Sequence, residues 1–303
     1  MWTAKGDLIS MENADLGAVR ALLREAHKDS YSSSACAGKR VANLFFEDST
    51  RTRVSFALAA RSLGAMSIDL VESGSSMSKG ESLLDTVWTI ESMGFDAIVM
   101  RHTDDDAARE IAGKIECPLV NAGSGTMQHP TQALGDALVI GEAFGRTDGW
   151  DFGSLRIAIV GDVVSSRVAG SNIDLLVAMG AEVVLVGPEA MVPESFTARG
   201  CVIERDFDSV IDQVDVVMML RVQFERGAGA LIGSREAYIR GYQLDQPRAK
   251  RMGADAIVMH PGPMNRGVEI DGRVADSGRS RIRAQVGGGV RVRRAVLRYI
   301  LDK

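Results

Sequence analysis

The sequence predicts an α/β protein of two domains, each a parallel β-sheet flanked by helices. Two observations support this fold class. Short apolar segments alternate with segments whose apolar residues recur at helical spacing, a pattern typical of parallel sheets covered by helices. The alternation stops once, at residues 145–153 (GRTDGWDFG), where polar residues and glycines predict a domain boundary.

Before this boundary, the apolar pattern predicts both strands and helices. Buried strands are predicted at residues 41–46, 68–71, 97–100 and 118–121. Helices are predicted at residues 52–63, 80–93 and 131–144. The second helix carries a stripe of apolar residues, namely Leu83, Leu84, Val87, Trp88 and Ile90.

After the boundary the same pattern starts again. Strands are predicted at residues 156–160, 182–186, 215–220 and 256–259, and helices at residues 168–179 and 282–301. The last helix is interrupted only by the glycines of residues 287–289. Residues 222–247 are polar and rich in Gly and Arg, which predicts a mobile loop.

The composition excludes several classes of protein. Of the 303 residues, 46% are hydrophobic and 25% are charged, as is normal for globular domains. The apolar runs are too short to span a membrane, and the N-terminus has no signal-peptide pattern. The net charge of −5 argues against a nucleic-acid partner. Three scattered cysteines fit a reducing compartment, so we expect a cytoplasmic protein. From the charge and the short apolar runs, we expect neither a nucleic-acid nor a membrane partner.

The segment from Ser49 to Arg53 (STRTR) follows the first predicted strand and opens the first predicted helix. A helix N-terminus offers N–H groups and a positive dipole end, which together bind phosphate. The hydroxyls of Ser49, Thr50 and Thr52 add donors, and the Arg51 guanidinium adds a two-pronged contact. Arg53 cannot share the face of Arg51 and is expected to brace the loop instead. The alternative is an ordinary helix cap followed by solvated arginines, and these residues alone leave both interpretations open.

Two further clusters follow strands of the first domain. Arg101 ends a predicted strand, where an arginine is either a surface charge or an anion ligand. His129 and Gln132 enter a predicted helix. A helix N-terminus favours the neutral imidazole, which can donate to a developing oxyanion, although a lone histidine is more often structural. Gln132, one turn later, can read an amide or a carbonyl.

Polar clusters also follow strands of the second domain. The segment from Gly161 to Arg167 (GDVVSSR) lacks the G-x-G-x-x-G pattern, which argues against NAD. Arg221 and Gln223 follow the predicted strand 215–220, and His260-Pro261-Gly262-Pro263 follows the predicted strand 256–259. Two prolines around a glycine make a rigid turn that leaves the carbonyls of Pro261 and Gly262 available to a ligand.

Together the motifs resemble those of aspartate carbamoyltransferase catalytic chains, in the carbamoyltransferase family. The resemblance runs nearly end to end and rests on F-x-x-S-T-R-T-R, M-R-H, H-P-T-Q-A-L, S-R-V, R-V-Q-x-E-R, H-P-G-P-M-N-R-G and Q-V-x-x-G-V-x-V-R. It implies carbamoyl transfer from carbamoyl phosphate to L-aspartate, an early step of pyrimidine synthesis. It also implies a carbamoyl phosphate-binding domain of residues 1–144 with the returning helix 280–303, and an aspartate-binding domain of residues 145–279.

The resemblance also implies roles for individual residues. It places the phosphate on Ser49, Thr50, Arg51, Thr52 and Arg101. By the same resemblance, Thr52, Arg101 and His129 would polarise the carbamoyl carbonyl. The implied catalytic residues are therefore Arg51, Thr52, Arg101 and His129. The carbamoyl amide would contact Gln132 and the carbonyls of Pro261 and Gly262, and aspartate would contact Lys79, Arg167, Arg221 and Gln223.

The assembly implied by the resemblance is a homotrimer with shared active sites. Ser75 and Lys79 match a loop that family members insert into a neighbouring subunit's site, although the serine-rich segment alone indicates only a solvated loop. Family members also associate with regulatory chains or with other enzymes, and no motif of this chain indicates either. No cofactor and no metal is expected, because the nucleophile is the amine of the substrate.

The chain departs from the usual family pattern at four positions. Asp48 stands where proline is common, and Ser124 where aspartate is frequent. Ser165 replaces a usual histidine and Gly170 a frequent arginine, both near the expected aspartate site. The residues expected to bind carbamoyl phosphate are all present.

Two alternatives remain open. Ornithine carbamoyltransferases share the S-T-R-T-R and H-P-x-Q elements, but they carry His-Cys-Leu-Pro in place of the turn at residues 260–263. Their Ser-Met-Gly loop lies in the second domain, whereas Ser92-Met93-Gly94 lies in the first domain, at a predicted helix end. Arg221 and Gln223 suit a dicarboxylate acceptor better than a cationic one. A non-catalytic carbamoyl phosphate sensor would keep residues 49–53 but could lose His129 or Arg221.

Overall fold

The structure is a computed structural model that describes residues 5–71, 80–223 and 234–302. The chain divides into two compact units. The first comprises Met1–Leu138 and Val286–Lys303, and the second comprises Val139–Gln285. Each unit holds one parallel sheet flanked by helices, which confirms the predicted fold class.

In the first unit, four strands form the sheet: β1 (Arg40–Phe45), β2 (Met66–Val71), β3 (Ala97–His102) and β4 (Leu119–Ser124). Their order in the sheet is β2-β1-β3-β4, and all pairs are parallel. The helices that precede or follow them are α1 (Leu16–Lys28), α2 (Thr50–Ser62), α3 (Leu83–Ser92), α4 (Ala107–Ala112) and α5 (Pro130–Ala143). Every residue of β4 is buried, as expected for a parallel strand covered on both faces.

The second unit has a parallel five-stranded sheet of β5 (Arg156–Val160), β6 (Glu182–Val186), β7 (Val202–Glu204), β8 (Val216–Met219) and β9 (Ile257–Met259). The order in this sheet is β7-β6-β5-β8-β9. The helices are α6 (Arg167–Ala178), α7 (Arg235–Tyr242), α8 (Gln246–Arg251) and α9 (Gly272–Ala275), with short 3-10 turns at Glu194–Arg199 and Phe207–Ser209. The C-terminal helix α10 (Ile282–Leu301) continues into the first unit.

A buried core holds each sheet to its helices. In the first unit, β1 and β3 contribute Leu44 and Met100, which join Val87 and Ile90 of α3 and Ile111 of α4 in one apolar cluster. In the second unit, a comparable cluster joins residues of β5, β6, β8 and β9 to the 3-10 turn at Phe207–Ser209 and to α9. Because strands and helices share one core, the loops at the strand ends have well-defined starting points.

The structure differs from the sequence predictions in several places, and elements such as α4 and β7 were not predicted. Helix α1, which was not predicted, is capped by Asp15, whose carboxylate accepts from the N–H groups of Gly17 and Ala18. The loop predicted at residues 222–247 is wrong over its last part, because α7 and the start of α8 lie there. The C-terminal helix runs without interruption through its three glycines.

The glycines of the C-terminal helix allow a close contact between two helix backbones. A Cβ added at Gly135 of α5 would lie 3.4 Å from the Cα of Gly289 on α10. Glycine inside a helix costs about 1 kcal/mol relative to alanine. The close packing of α10 against α5 therefore explains why a glycine run occurs inside a helix.

Candidate active site

The carboxyl ends of three neighbouring strands gather the predicted residues of the first unit. In the β1–β3 pair, Phe45 lies opposite Arg101, and in the β3–β4 pair, His102 lies opposite Ser124. The segment 49–53 follows β1, Arg101 lies in β3, and His129 follows β4. Because parallel strands end at the same edge of a sheet, this topology places all three clusters at one edge.

The segment predicted to bind phosphate forms the first turn of α2. The helix begins at Thr50, two residues earlier than predicted, with Ser49 at the cap position. Thr50 and Arg51 are exposed, Ser49 is half-buried and Thr52 is buried. The Ser49 side chain makes no capping hydrogen bond to this turn within the part of the chain that the structure describes. The N–H groups of the first turn and these hydroxyls are therefore placed where they can donate hydrogen bonds to an anion.

Arg51 and Arg53 lie on different sides of α2, because they are two residues apart on the helix. The guanidinium of Arg53 lies 3.7 Å from the carboxylate of Asp69 on β2. The contact ties the start of α2 to the neighbouring strand. Arg53 therefore contacts the sheet and not, as the sequence predicted, the loop before the helix.

Glu47 orients Arg101. The Nε of Arg101 lies 3.2 Å from the Glu47 carboxylate, and Nη1 donates to the carbonyl of Ala122 at 3.3 Å. The side chains of Arg101 and Glu47 are 14% and 13% exposed, so this ion pair is partly shielded from solvent. Two anchors on neighbouring strand ends therefore limit the positions that the Arg101 guanidinium can take.

His129 and Gln132 lie at the start of α5. His129 is 4% exposed, and its carbonyl accepts the N–H of Gln132 at 3.0 Å. Gln132 lies on the first turn and is half-buried. Its Nε2 donates to Oδ1 of Asp136 at 2.8 Å.

In the second unit, the carboxyl ends of β5, β8 and β9 gather the remaining clusters, because these strands are neighbours in the sheet. Arg167 is the first residue of α6 and is 6% exposed. Arg221 and Gln223 follow β8 and are half-buried. The Nε2 of Gln223 donates to the carbonyl of Ser165 at 3.1 Å, which ties the segment after β8 to the one after β5.

The turn after β9 is held by a buried pair of polar side chains. His260 is 1% exposed and Glu269 is fully buried. The N–H of Gly262 donates to Nδ1 of His260 at 2.8 Å, so the imidazole carries its proton on Nε2, which lies 3.1 Å from the Glu269 carboxylate. The same carboxylate accepts the N–H of Asn265.

Gly262 adopts a conformation that favours glycine, with φ 66°. Its N–H is tied to His260 and the backbone at Asn265 is tied to Glu269, so both ends of the turn are anchored. The carbonyls of Pro261 and Gly262 therefore have a defined position. Backbone carbonyls that are held in place can accept hydrogen bonds from an amide without reorganisation.

Gly161 and Asp162 follow β5 and are buried. Gly161 has φ 123°, and a Cβ there would lie 2.9 Å from the hydroxyl oxygen of Tyr238. Close packing therefore explains this glycine without a dinucleotide. Burial raises the pKa of Asp162, while hydrogen bonds from Ser165 act in the opposite direction.

The departures from the family pattern have simple structural settings. Ser165 uses its backbone carbonyl, not its side chain, to hold Gln223. The carbonyl of Gly170 accepts from Nη2 of Arg199 at 2.8 Å, so a guanidinium from another element contacts this position. Ser124 is buried and its hydroxyl accepts from Asn121 at 2.6 Å, and Asp48 is exposed.

Sequence reasoning missed three residues that hold predicted site residues or their turn in place, namely Glu47, Asp136 and Glu269. Each contacts a predicted site residue or its turn. The predicted residues Ser75 and Lys79 lie outside the described part of the chain. The Ser-Met-Gly segment ends α3, with Gly94 at φ 81°, which confirms that it terminates a helix.

Within residues 5–71, 80–223 and 234–302, no three His, Cys, Asp or Glu side chains are grouped so that they could hold a metal ion. Over the same residues, none of the helices has both the length and the apolar character needed to cross a bilayer. The predicted residues at the two strand edges offer hydroxyls, guanidinium groups, an imidazole and amides.

Comparison with known proteins identifies the family. Residues 7–142 match the model of the aspartate/ornithine carbamoyltransferase carbamoyl-P binding domain, and residues 154–300 match that of the Asp/Orn binding domain. A similar protein is the aspartate carbamoyltransferase catalytic subunit of Gluconacetobacter diazotrophicus, which is 53% identical over 86% of this chain and 79% of its own length.

Two solved structures are also similar. Aspartate transcarbamoylase from Trypanosoma cruzi, in complex with carbamoyl phosphate and aspartate, has a TM-score of 0.86 and 31% identity over 97% of each chain. Ornithine carbamoyltransferase from Pyrococcus furiosus has a TM-score of 0.87 and 25% identity over 100% of this chain and 99% of its own. The fold is therefore shared by enzymes for both acceptors. The chain belongs to the aspartate/ornithine carbamoyltransferase family.

Proposed function

We propose that this chain is a transferase that moves the carbamoyl group of carbamoyl phosphate to the amine of L-aspartate. The products are N-carbamoyl-L-aspartate and phosphate, and the reaction belongs to de novo pyrimidine biosynthesis. The observation that carries the proposal is the gathering of the α2 N-terminus, Arg101 and His129 at one edge of a parallel sheet. Similar proteins that are about half identical in sequence bear the name aspartate carbamoyltransferase catalytic subunit.

Carbamoyl phosphate would bind the residues at this edge of the first unit. We assign the phosphate oxygens to the hydroxyls and N–H groups of residues 49–52 and to the guanidinium groups of Arg51 and Arg101. We assign the carbamoyl carbonyl to Thr52, Arg101 and His129. The carbamoyl amide would contact Gln132 together with the carbonyls of Pro261 and Gly262.

The reaction needs no nucleophile from the protein. The neutral amine of aspartate attacks the carbamoyl carbon, a C–N bond forms, and the carbonyl oxygen becomes an oxyanion. Donors at Thr52, Arg101 and His129 stabilise this charge as it develops. The C–O bond to phosphate then breaks, and the departing phosphate accepts the amine proton. Holding both reactants in place supplies much of the remaining acceleration.

We infer the acceptor substrate from the charge of the residues that are expected to bind it. We propose that Arg167, Arg221 and Gln223, with Lys79, bind the two carboxylates of aspartate. Guanidinium forks pair with planar carboxylates, whereas the side-chain ammonium of ornithine would meet like charge there. The strand order of the second unit supports this assignment, since β5 and β8 are neighbours and Gln223 contacts Ser165.

A steady-state assay with carbamoyl phosphate and either L-aspartate or L-ornithine tests the acceptor. We expect carbamoylation of aspartate and a turnover with ornithine at least about a thousandfold lower, because the site would leave carboxylate-binding cations unpaired. Activity with ornithine alone would contradict the assignment. Binding of carbamoyl phosphate without turnover of either amine would instead favour a sensor.

We further propose a homotrimer in which Ser75 and Lys79 serve a neighbouring subunit's site. Mixing Lys79→Ala subunits with Arg51→Ala subunits should restore part of the activity, since some sites of the hybrid would combine two intact contributions. Hybrids that stay as inactive as each parent would count against shared sites.

The mass in solution should equal that of three chains, and any regulatory chain or partner enzyme would add to it. We place the enzyme in the cytoplasm, which fractionation of the source cells would test.

A further inference from the structure

Two buried charged residues of the first unit, Asp136 and Arg293, lie near Gln132. Gln132 and Asp136 are one turn apart on α5, and Nε2 of Gln132 donates to Oδ1 of Asp136 at 2.8 Å. Gln132 is half-buried, whereas Asp136 is fully buried. The proposed carbamoyl ligand is thus connected through one hydrogen bond to a carboxylate inside the protein.

Arg293 of α10 brings a positive charge to the contact between α5 and α10, where Gly289 lies against Gly135, the residue before Asp136. It is 4% exposed, and its guanidinium carbon lies 5.2 Å from the centre of the Phe56 ring. Burial lowers the pKa of Arg293 to about 10, and the negative charge of Asp136 opposes this shift. A Cβ at Gly289 would come within 2.7 Å of the Arg293 guanidinium, so the glycine run of α10 makes room for the arginine.

The hydrogen bond to Asp136 fixes the orientation of the Gln132 side-chain amide. A carboxylate can only accept hydrogen bonds, so it must pair with the NH2 end of the amide. The opposite end, Oε1, is a pure acceptor and is the end that Asp136 does not hold. Of the groups on carbamoyl phosphate, the NH2 is the one that can donate to such an acceptor.

We propose that Asp136, supported by Arg293, positions Gln132 so that its Oε1 accepts a hydrogen bond from the NH2 of the carbamoyl group. Asp136 and Arg293 are then positioning residues that make the site selective for carbamoyl phosphate over acyl phosphates without N–H groups. The inference deepens the proposed function and rests on it. A site built to pair a substrate N–H rejects an analogue that lacks it, because the buried acceptor is left unpaired.

Asp136→Asn tests this inference. The new amide can donate to Oε1 of Gln132, so the Gln132 amide can turn and present its NH2 to the NH2 of the substrate. We expect the KM for carbamoyl phosphate to rise about tenfold or more, as for one buried donor left unpaired. Acetyl phosphate has a methyl group in place of the NH2, so its inhibition constant against carbamoyl phosphate should change by less than about threefold.

Three further variants keep the test decisive. If Asp136→Asn leaves Arg293 unbalanced and the chain unfolds, the double variant Asp136→Asn/Arg293→Met removes both charges and should show the same change in selectivity. In a Gln132→Ala background, Asp136→Asn should change the selectivity no further, because the mediating side chain is gone. Asp174→Asn is the matched control, since Asp174 pairs with Arg199 at 2.5 Å in the second unit and should leave the selectivity unchanged.

The inference is overturned if Asp136→Asn raises the carbamoyl phosphate KM and the acetyl phosphate inhibition constant by the same factor, since that indicates general damage to the site. It is also overturned if neither value changes, or if Asp136→Asn still alters selectivity without Gln132. The wild-type enzyme separates this failure from that of the proposed function. A wild-type chain that carbamoylates aspartate keeps the proposed function, whatever Asp136→Asn does.

Discussion

The two units present different kinds of chemical group at their strand edges. In the first unit, the proposed ligands of phosphate are side chains and N–H groups at a helix start, and the Arg51 side chain is exposed. In the second unit, the turn after β9 offers the carbonyls of Pro261 and Gly262, and side chains that are almost fully buried hold it in place. Substitutions of the exposed or half-buried ligand side chains should therefore act through lost binding, and substitutions of the buried residues behind the turn after β9 through lost architecture.

The largest effect is expected in the first unit, at the exposed side chain of Arg51. Arg51→Ala should weaken binding of carbamoyl phosphate by about a hundredfold or more, because a two-pronged contact to phosphate is lost. Isothermal titration with carbamoyl phosphate and with inorganic phosphate measures the effect. Arg53→Ala is the matched control, since Arg53 contacts Asp69 on β2, and its affinity should change by less than about threefold. Wild-type affinity in Arg51→Ala would remove this residue from the site.

Arg221→Ala should produce the next largest effect, and it should be confined to the acceptor. We expect the KM for aspartate to rise about tenfold to a hundredfold, as for the loss of a hydrogen bond to a charged group. The KM for carbamoyl phosphate, measured at saturating aspartate, should stay within about twofold. A variant that loses carbamoyl phosphate affinity to the same degree would show that the two regions do not divide the substrates as proposed.

Glu269→Ala should act on the architecture of the turn. The change removes the partner of His260 and the acceptor of the Asn265 N–H, so the free energy of unfolding should fall by about 2 kcal/mol. Urea denaturation measures this loss. Glu182→Ala removes an exposed carboxylate that pairs with Arg156 at 3.0 Å, and it should cost less than about 1 kcal/mol. Equal losses in the two variants would mean that the buried pair does not stabilise the second unit.

The smallest effect concerns the pH dependence of stability. Burial raises the pKa of Asp162 above its ordinary value of 3.8, so the folded chain binds a proton more tightly than the unfolded chain. This contribution favours folding below pH 3.8 and is lost as the pH rises through the raised value. Relative to the wild type, Asp162→Asn should therefore gain stability from about pH 4 upward, as urea unfolding at several pH values would reveal. A constant difference across this range would contradict the shift.

The motifs of the binding residues could be found from the sequence because they lie where apolar segments end. The strand ends at Phe45, Met219 and Met259 are set by local pattern, and the polar residues that follow are then expected at one edge of a sheet. The partners Glu47, Asp136 and Glu269 could not be found this way. An acidic residue near a motif has the same local signature whether it is solvated or paired with a distant arginine or histidine.

The alternation of apolar segments determined the fold class, and the order of the motifs indicated the family, because both are properties of the chain that need no long-range contact. Tertiary structure alone decided that Arg53 contacts β2, that the glycine run of α10 packs on α5, and that Asp136, the partner of Gln132, is fully buried. Those outcomes depend on which helices approach each other and how closely. Burial then decides whether a charge is paired or solvated, and no local pattern records it.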